Sequence, residues 1–195
     1  MDQDIISTRF YDTMLEIASQ VKMNAKKIQI NDLINTIDAI LQIYNHNNMI
    51  FIYGAGRSGF IGRCFAQRLM HLGLKSCFIS DAITYQYTNK DLLFIISGSG
   101  ETTSSVAIAQ KAKEIGGKIW LLSTNPESTI AKISTYTLII AGKSKNNAIK
   151  QDTLAPYTSL FDISTLAVLD SIGGTLMKLL DLTEKDINQR HASIE

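Results

Sequence analysis

With 195 residues, 45% of them apolar and 19% charged, the chain has the make-up of one globular domain with at most a modest appendage. A domain of that size hides roughly 70% of its unfolded surface, enough for a core without disulfide or metal staples. The net charge of +1 points to neither nucleic acid nor a membrane surface.

No apolar run approaches the ~18 residues of a spanning helix. The acidic start Met1-Asp2-Gln3-Asp4 lacks the basic region of a secretory signal, so a soluble cytoplasmic protein is expected. Cys64 and Cys77 have no metal-ligand spacing and read as buried reduced thiols.

Residues 1–48 are helical in pattern. Phe10, Met14, Ile17 and Val21 recur at helical steps, as do Leu33, Ile34, Ile37, Ile40, Leu41 and Tyr44. Two such stripes must be buried on their own domain or on another subunit. From Met49 to about Ala141 short apolar runs alternate with helices. Met49–Tyr53, Lys75–Ser80, Leu92–Ile96, Lys118–Leu122 and Tyr136–Ile140 read as strands. Ser58–Leu72, Thr102–Ile115 and Ser128–Lys132 read as helices, the first two closed by glycine. The strands are solidly apolar, as in a sheet covered on both faces. The alternation predicts a doubly wound parallel α/β sheet with right-handed crossovers. A polar loop follows at Gly142–Gln151. The C-terminal segment, 152–195, holds a long helix over Pro156–Leu180 and a short one opened by a capping box at Thr183-Glu184-Lys185-Asp186.

Ligands of open parallel sheets bind beyond the carboxyl ends of the strands. Two turns there have unusual composition: Gly54-Ala55-Gly56-Arg57-Ser58-Gly59 after the first strand, and Ser97-Gly98-Ser99-Gly100-Glu101-Thr102 after the third. Glycines allow close backbone approach, and the N-terminus of the helix that follows favours an anion. The hydroxyls add donors that rotate to suit phosphate oxygens. The first turn alone also fits a dinucleotide fingerprint, with Asp81 as the acidic ribose partner. A pyrophosphate cradle has no use for the hydroxyls of the second turn, whereas a small phosphorylated substrate held between two strand ends needs both.

The two turns, in this order and about forty residues apart, resemble the sugar isomerase (SIS) domain. The likeness is nearest to its 6-phospho-3-hexuloisomerase branch. It is carried by Gly54–Gly59, by the helix containing Ile61-Gly62-Arg63-Cys64-Phe65-Ala66 and Arg68-Leu69-Met70-His71-Leu72-Gly73, by Ser97–Thr102, and by the tail Arg190-His191-Ala192-Ser193-Ile194-Glu195. The resemblance implies a single SIS domain with a flavodoxin-like five-stranded sheet and no cofactor, and the sequence offers no obvious His/Glu cluster for a metal. It also implies a homotetramer with sites completed across subunits. The implied reaction interconverts D-arabino-hex-3-ulose 6-phosphate and D-fructose 6-phosphate, with formaldehyde assimilation, its detoxification or pentose-phosphate supply as possible settings. The family's Met-Gly-Ser/Thr-x-Phe-Glu segment corresponds to Tyr157-Thr158-Ser159-Leu160-Phe161-Asp162, so Thr158 replaces a glycine and Asp162 a glutamate.

On this reading Ser58, Ser97, Ser99 and Thr102 hold the phosphate with the amides around Gly56 and Gly100. Arg57 meets the phosphate or a sugar oxygen. Asp162 is the candidate base, and His191 the residue that moves hydroxyl protons or polarises the carbonyl. Blander roles are set beside these: Asp162 as part of a capping box, His191 as a solvated tail residue, His71 in packing, His46 in a loop, Glu101 ordering a helix start, and Arg63 and Arg68 in ion pairs. Competing functions are another sugar-phosphate isomerase of the same superfamily, a sensing module that binds without turnover, and a dinucleotide-binding protein. No binding of nucleic acid or membrane is expected.

Overall fold

The computed structural model describes residues 2–143 and 152–193. The polar segment at 144–151 and the tail residues Ile194 and Glu195 lie outside the described residues. Five parallel strands form one sheet: β1 (Ile50–Gly54), β2 (Ser76–Phe78), β3 (Leu92–Ile96), β4 (Lys118–Ser123) and β5 (Tyr136–Ile139). Their spatial order is β2-β1-β3-β4-β5. The chain winds one way from β1 to β2 and the other way from β3 onward, so the direction of winding reverses between β1 and β3. That gap is the switch point at which such sheets bind ligands. Gly54 pairs level with Ile96, so the two glycine-rich turns leave the sheet side by side.

Helices cover both faces. On one lie α2 (Ile30–Asn45), α3 (Arg57–His71) and α6 (Ser159–Leu179); on the other lie α4 (Thr103–Ile115) and α5 (Thr129–Ile133). Every residue of β1 and β3 is buried, which is why these strands read as unbroken apolar runs. Phe65 of α3 meets Phe94 of β3 edge to face, and the Trp120 indole of β4 donates to the buried Thr36 hydroxyl of α2 at 3.0 Å. The last helix, α7 (Glu184–Gln189), opens with the expected capping box between Thr183 and Asp186.

The long first helix, α1 (Gln3–Lys27), is held by its second half. Asn24 is buried; its side-chain amide donates to the Ala141 carbonyl and accepts from the Ala141 amide, both at 2.8 Å. This side chain stands in for a neighbouring strand beyond β5. The first half of α1 keeps Phe10, Tyr11, Met14 and Leu15 exposed. The expectation that the first stripe is buried therefore holds within the chain only toward its C-terminal end.

Four expectations need correction. Strand β2 covers only Ser76–Phe78, because it is an edge strand with a half-buried pattern. Cys64 is exposed on α3 and Cys77 is half-buried on that edge, so neither is a core thiol; burial nonetheless pushes the Cys77 thiol above its ordinary value. Helix α6 starts at Ser159, with Thr158 as its N-cap, rather than at Pro156. It is also, at 21 residues and mean hydropathy 1.3, long and apolar enough to cross a membrane by length and composition. Its apolarity has another cause here: it packs against α1 and α3 as a core helix.

Candidate active site

Strand β1 delivers the chain into Gly54–Gly59, and α3 begins at Arg57 with Gly56 as its N-cap. Gly56 takes φ 58° and ψ −129°, a conformation closed to side-chain-bearing residues. Strand β3 delivers the chain into Ser97–Thr102, where the Gly100 amide donates to the Ser97 carbonyl in a tight turn at 3.0 Å. Gly100 has φ +66°, and a Cβ there would stand 2.0 Å from the Ser128 Oγ. The end of β4 braces the turn from behind: the Ser123 and Thr124 hydroxyls and the Thr124 amide all donate to the Gly98 carbonyl.

Thr102 caps α4 by position but makes no side-chain bond to its first turn. Gly56 has no side chain with which to cap α3. Two helix starts therefore face the switch point with first-turn amides unsatisfied by their own helices. The Ser97 and Ser99 hydroxyls accept from the Gly100 and Glu101 amides at 3.2 Å, which leaves their protons available to a ligand.

Between the two turns lies a cavity of about 370 Å³, in the size range of small-molecule sites. Gly56, Arg57, Ser58, Ser97, Ser99 and Thr102 line it, and Gly100 is buried within the second turn against Ser128. The start of α6 closes the third side through Tyr157, Thr158, Phe161 and Asp162. The buried Phe161 packs its ring against Gly98 and its backbone against Gly142, which together fix where Asp162 falls.

Asp162 is 3% exposed, and its Oδ2 accepts from Arg57 Nε at 2.8 Å and from the Thr158 hydroxyl at 2.7 Å. It is not a capping-box residue. It lies one position too far into α6, and its carboxylate turns sideways to α3 rather than back to the cap backbone. The Arg57 side chain remains 63% exposed, with donors beyond Nε to offer a ligand.

His191 does not join this group within one chain. It stacks on His71 with ring centroids 4.1 Å apart, next to Arg190, which donates to the His71 carbonyl at 3.1 Å. His71 ends α3, and a helix of 15 residues puts that end about 22 Å from Arg57. The remaining assignments sort simply. Glu101 accepts from the Thr129 amide at 2.8 Å and the Thr129 hydroxyl at 2.7 Å; these bonds hold its carboxyl below the ordinary value, and it orders the start of α5, not α4. Asp81, the ribose partner of the dinucleotide reading, is paired with Arg63 at 2.9 Å, and Arg68 with Asp170 at 3.0 Å. His46 is exposed and His71 buried. Among the described residues no three His, Cys, Asp or Glu side chains form a metal-ligand group.

Sequence reasoning missed Ser105, Tyr157 and Phe161 as lining residues. Ser105 had a signal, since it follows Thr102 by three positions on α4 and so shares its face. Tyr157 had none; its φ of 44° is a strained backbone that only the fold reveals.

Comparison with known proteins identifies the family and the fold. The SIS domain profile matches residues 42–167. A 3-hexulose-6-phosphate isomerase of Methanocaldococcus jannaschii is 36% identical over 92% of this chain and 96% of its own length. One of Bacillus subtilis is 33% identical over the same shares. A crystal structure from Methanococcus jannaschii, from which that isomerase function was inferred, superposes with a TM-score of 0.80 at 34% identity, covering 93% of this chain and 98% of the other.

Proposed function

The chain belongs to the SIS domain family and is a sugar-phosphate isomerase; from that premise we propose that it interconverts D-arabino-hex-3-ulose 6-phosphate and D-fructose 6-phosphate. The observation that carries the reading is the meeting of two hydroxyl-bearing turns and one buried carboxylate on a single cavity. The phosphate sits at the starts of α3 and α4 under Ser58, Ser97, Ser99 and Thr102, where dipoles and amides favour a dianion. Anchored there, the sugar extends toward the start of α6.

Asp162 is the base. It removes the proton from C2 of the hexulose, the electrons of that C–H bond form the C2–C3 double bond, and the C3 carbonyl becomes an enediolate oxygen. The same proton returns to C3 as the C2 hydroxyl gives up its proton and becomes the carbonyl. Atoms and charge balance without a redox partner. Oδ2 is held by Arg57 and Thr158, so Oδ1 is the oxygen that reaches the carbon. Arg57 stabilises the developing oxyanion with its remaining N–H groups, as a planar fork suits. His191 reaches this cavity from another copy of the chain and moves the hydroxyl proton between O2 and O3. The exposed apolar half of α1 gives such an assembly, a homotetramer, a surface to bury. The chain acts as one domain, cytoplasmic, without a cofactor.

One observation favours a second reading. A carboxylate already engaged by Arg57 and Thr158 suits a module that binds sugar phosphate without turnover. A coupled assay that supplies 3-hexulose 6-phosphate and follows fructose 6-phosphate separates the two. Turnover that is lost in Asp162→Asn supports the isomerase assignment. Binding of either sugar phosphate with no turnover in the unaltered protein establishes the module instead.

A further inference from the structure

We propose that Ser105 is a further substrate-contacting residue, its hydroxyl completing the grip on the phosphate that Ser97, Ser99 and Thr102 begin; the inference rests on the sugar-phosphate reading of the same cavity. Ser105 is the third residue of α4, 0% exposed, and it lines the cavity. Side chains on a helix tilt toward its N-terminus, so the Cβ of Ser105 leans toward the uncapped first turn and the Ser97–Thr102 bend.

Its Oγ has no hydrogen-bond partner. Buried hydroxyls are almost always paired, and an orphan marks either strain or a partner that comes from outside the chain. Other buried serines around the second turn are satisfied. Ser123 Oγ donates to the Gly98 carbonyl, and Ser128 Oγ accepts from the Ala131 amide. Ser164 is the one comparable orphan among the described residues, 1% exposed, and it is not among those lining this cavity.

What reaches Ser105 must accept a hydrogen bond and be welcome at a helix start. An anionic oxygen meets both demands, and a hydroxyl bond to a charged oxygen is stronger than one between neutral groups. The first-turn amides of α4, left unpaired by the Thr102 side chain, aim at the same place. Ser105 thus deepens the phosphate pocket by one donor on the α4 side. The cost falls on the unliganded protein, which holds the hydroxyl dehydrated and unpaired.

The test compares Ser105→Ala and Ser164→Ala with the unaltered protein. Calorimetric titration with inorganic phosphate and with fructose 6-phosphate is combined with thermal unfolding without ligand. Ser105→Ala is expected to weaken both ligands about tenfold, the scale of one charge-assisted hydrogen bond, while melting no lower than the unaltered protein. Ser164→Ala is expected to match that thermal behaviour and leave both affinities unchanged. Phosphate affinity of Ser105→Ala within about twofold of the unaltered protein overturns the proposal, as does a loss of affinity that comes with a lowered melting point. Phosphate binding needs no turnover, so a protein inactive on the hexulose phosphate still reports on the role of Ser105. Absence of phosphate binding in the unaltered protein ends this inference and the phosphate reading together.

Discussion

Arg57 and Asp162 form an ion pair, 2.8 Å from Nε to Oδ2, that joins the start of α3 to the start of α6 across the mouth of the cavity. The pair is lopsided. The Arg57 side chain is 63% exposed and that of Asp162 only 4%. Removing either partner therefore has different consequences. Asp162→Asn leaves a guanidinium that water can solvate, and an exposed charge gives up no more than about 1 kcal/mol. Arg57→Ala strands a buried carboxylate with the Thr158 hydroxyl as its remaining contact of the two, at a cost of about 1–3 kcal/mol. Urea unfolding should rank the variants in that order, and equal losses would show that the pair is better solvated than its burial implies.

Activity should rank them the other way. If Asp162 takes the proton from carbon, Asp162→Asn lowers kcat by about 10²–10⁴-fold with little change in KM, since general-base catalysis supplies that range. Arg57→Ala is expected to affect both parameters, because in the proposed reaction its fork meets the sugar as well as the carboxylate it pairs with here. Steady-state kinetics with 3-hexulose 6-phosphate measures both. An Asp162→Asn enzyme with unchanged kcat would remove the carboxylate from the chemistry.

The sheet was legible because fully covered strands leave unbroken apolar runs, as Ile50–Gly54 and Leu92–Ile96 do. The two turns were legible because composition and position coincided at strand ends. Less could be read where burial depends on distant chain. Asn24 looks like a surface residue of an amphipathic helix until Ala141 is seen beside it. Ser159-Leu160-Phe161-Asp162 has the spacing of a capping box, yet Thr158 is the cap and Arg57 draws the carboxylate sideways. The neighbour of His191 could not be foreseen either, since its stacking on His71 depends on how α7 folds back on α3.

Two glycines make a paired stability test. At Gly100 the backbone is left-handed and an added Cβ meets Ser128, so Gly100→Ala should cost about 1–3 kcal/mol in strain and abolish phosphate binding. Gly174 lies inside α6 with open space around its Cβ position. Gly174→Ala should instead stabilise by about 0.5–1 kcal/mol, the helix-propensity difference between the two residues. Thermal unfolding of both variants checks the contrast, and a neutral Gly100→Ala would mean that the bend is not the rigid cradle its geometry describes.

Glu101 supplies a pH test. Hydrogen bonds from the Thr129 hydroxyl and amide hold its carboxyl below the ordinary 4.5. A carboxyl depressed by folding adds stability above its unfolded value and loses it as pH falls through the folded one. The stability difference between the unaltered protein and Glu101→Gln should thus be constant above the ordinary value and shrink in more acidic solution. Denaturant midpoints measured from neutral to acidic pH report it, and a difference that does not change with pH would mean the contact to Thr129 contributes nothing through its charge.

The placement of His191 leads to the sharpest test of assembly. Within one chain it lies near the far end of α3, so a role in the cavity requires the tail of one copy to meet the Asp162 of another. Asp162→Asn and His191→Ala should each be nearly inactive alone. Unfolded together and refolded as mixed oligomers, they should recover about a quarter of full activity, because random symmetric assembly pairs an intact Asp162 with an intact His191 at that frequency. Activity that stays at the level of the separate variants would show that the two residues never share a site. The stack on His71 would then be the whole of what His191 does.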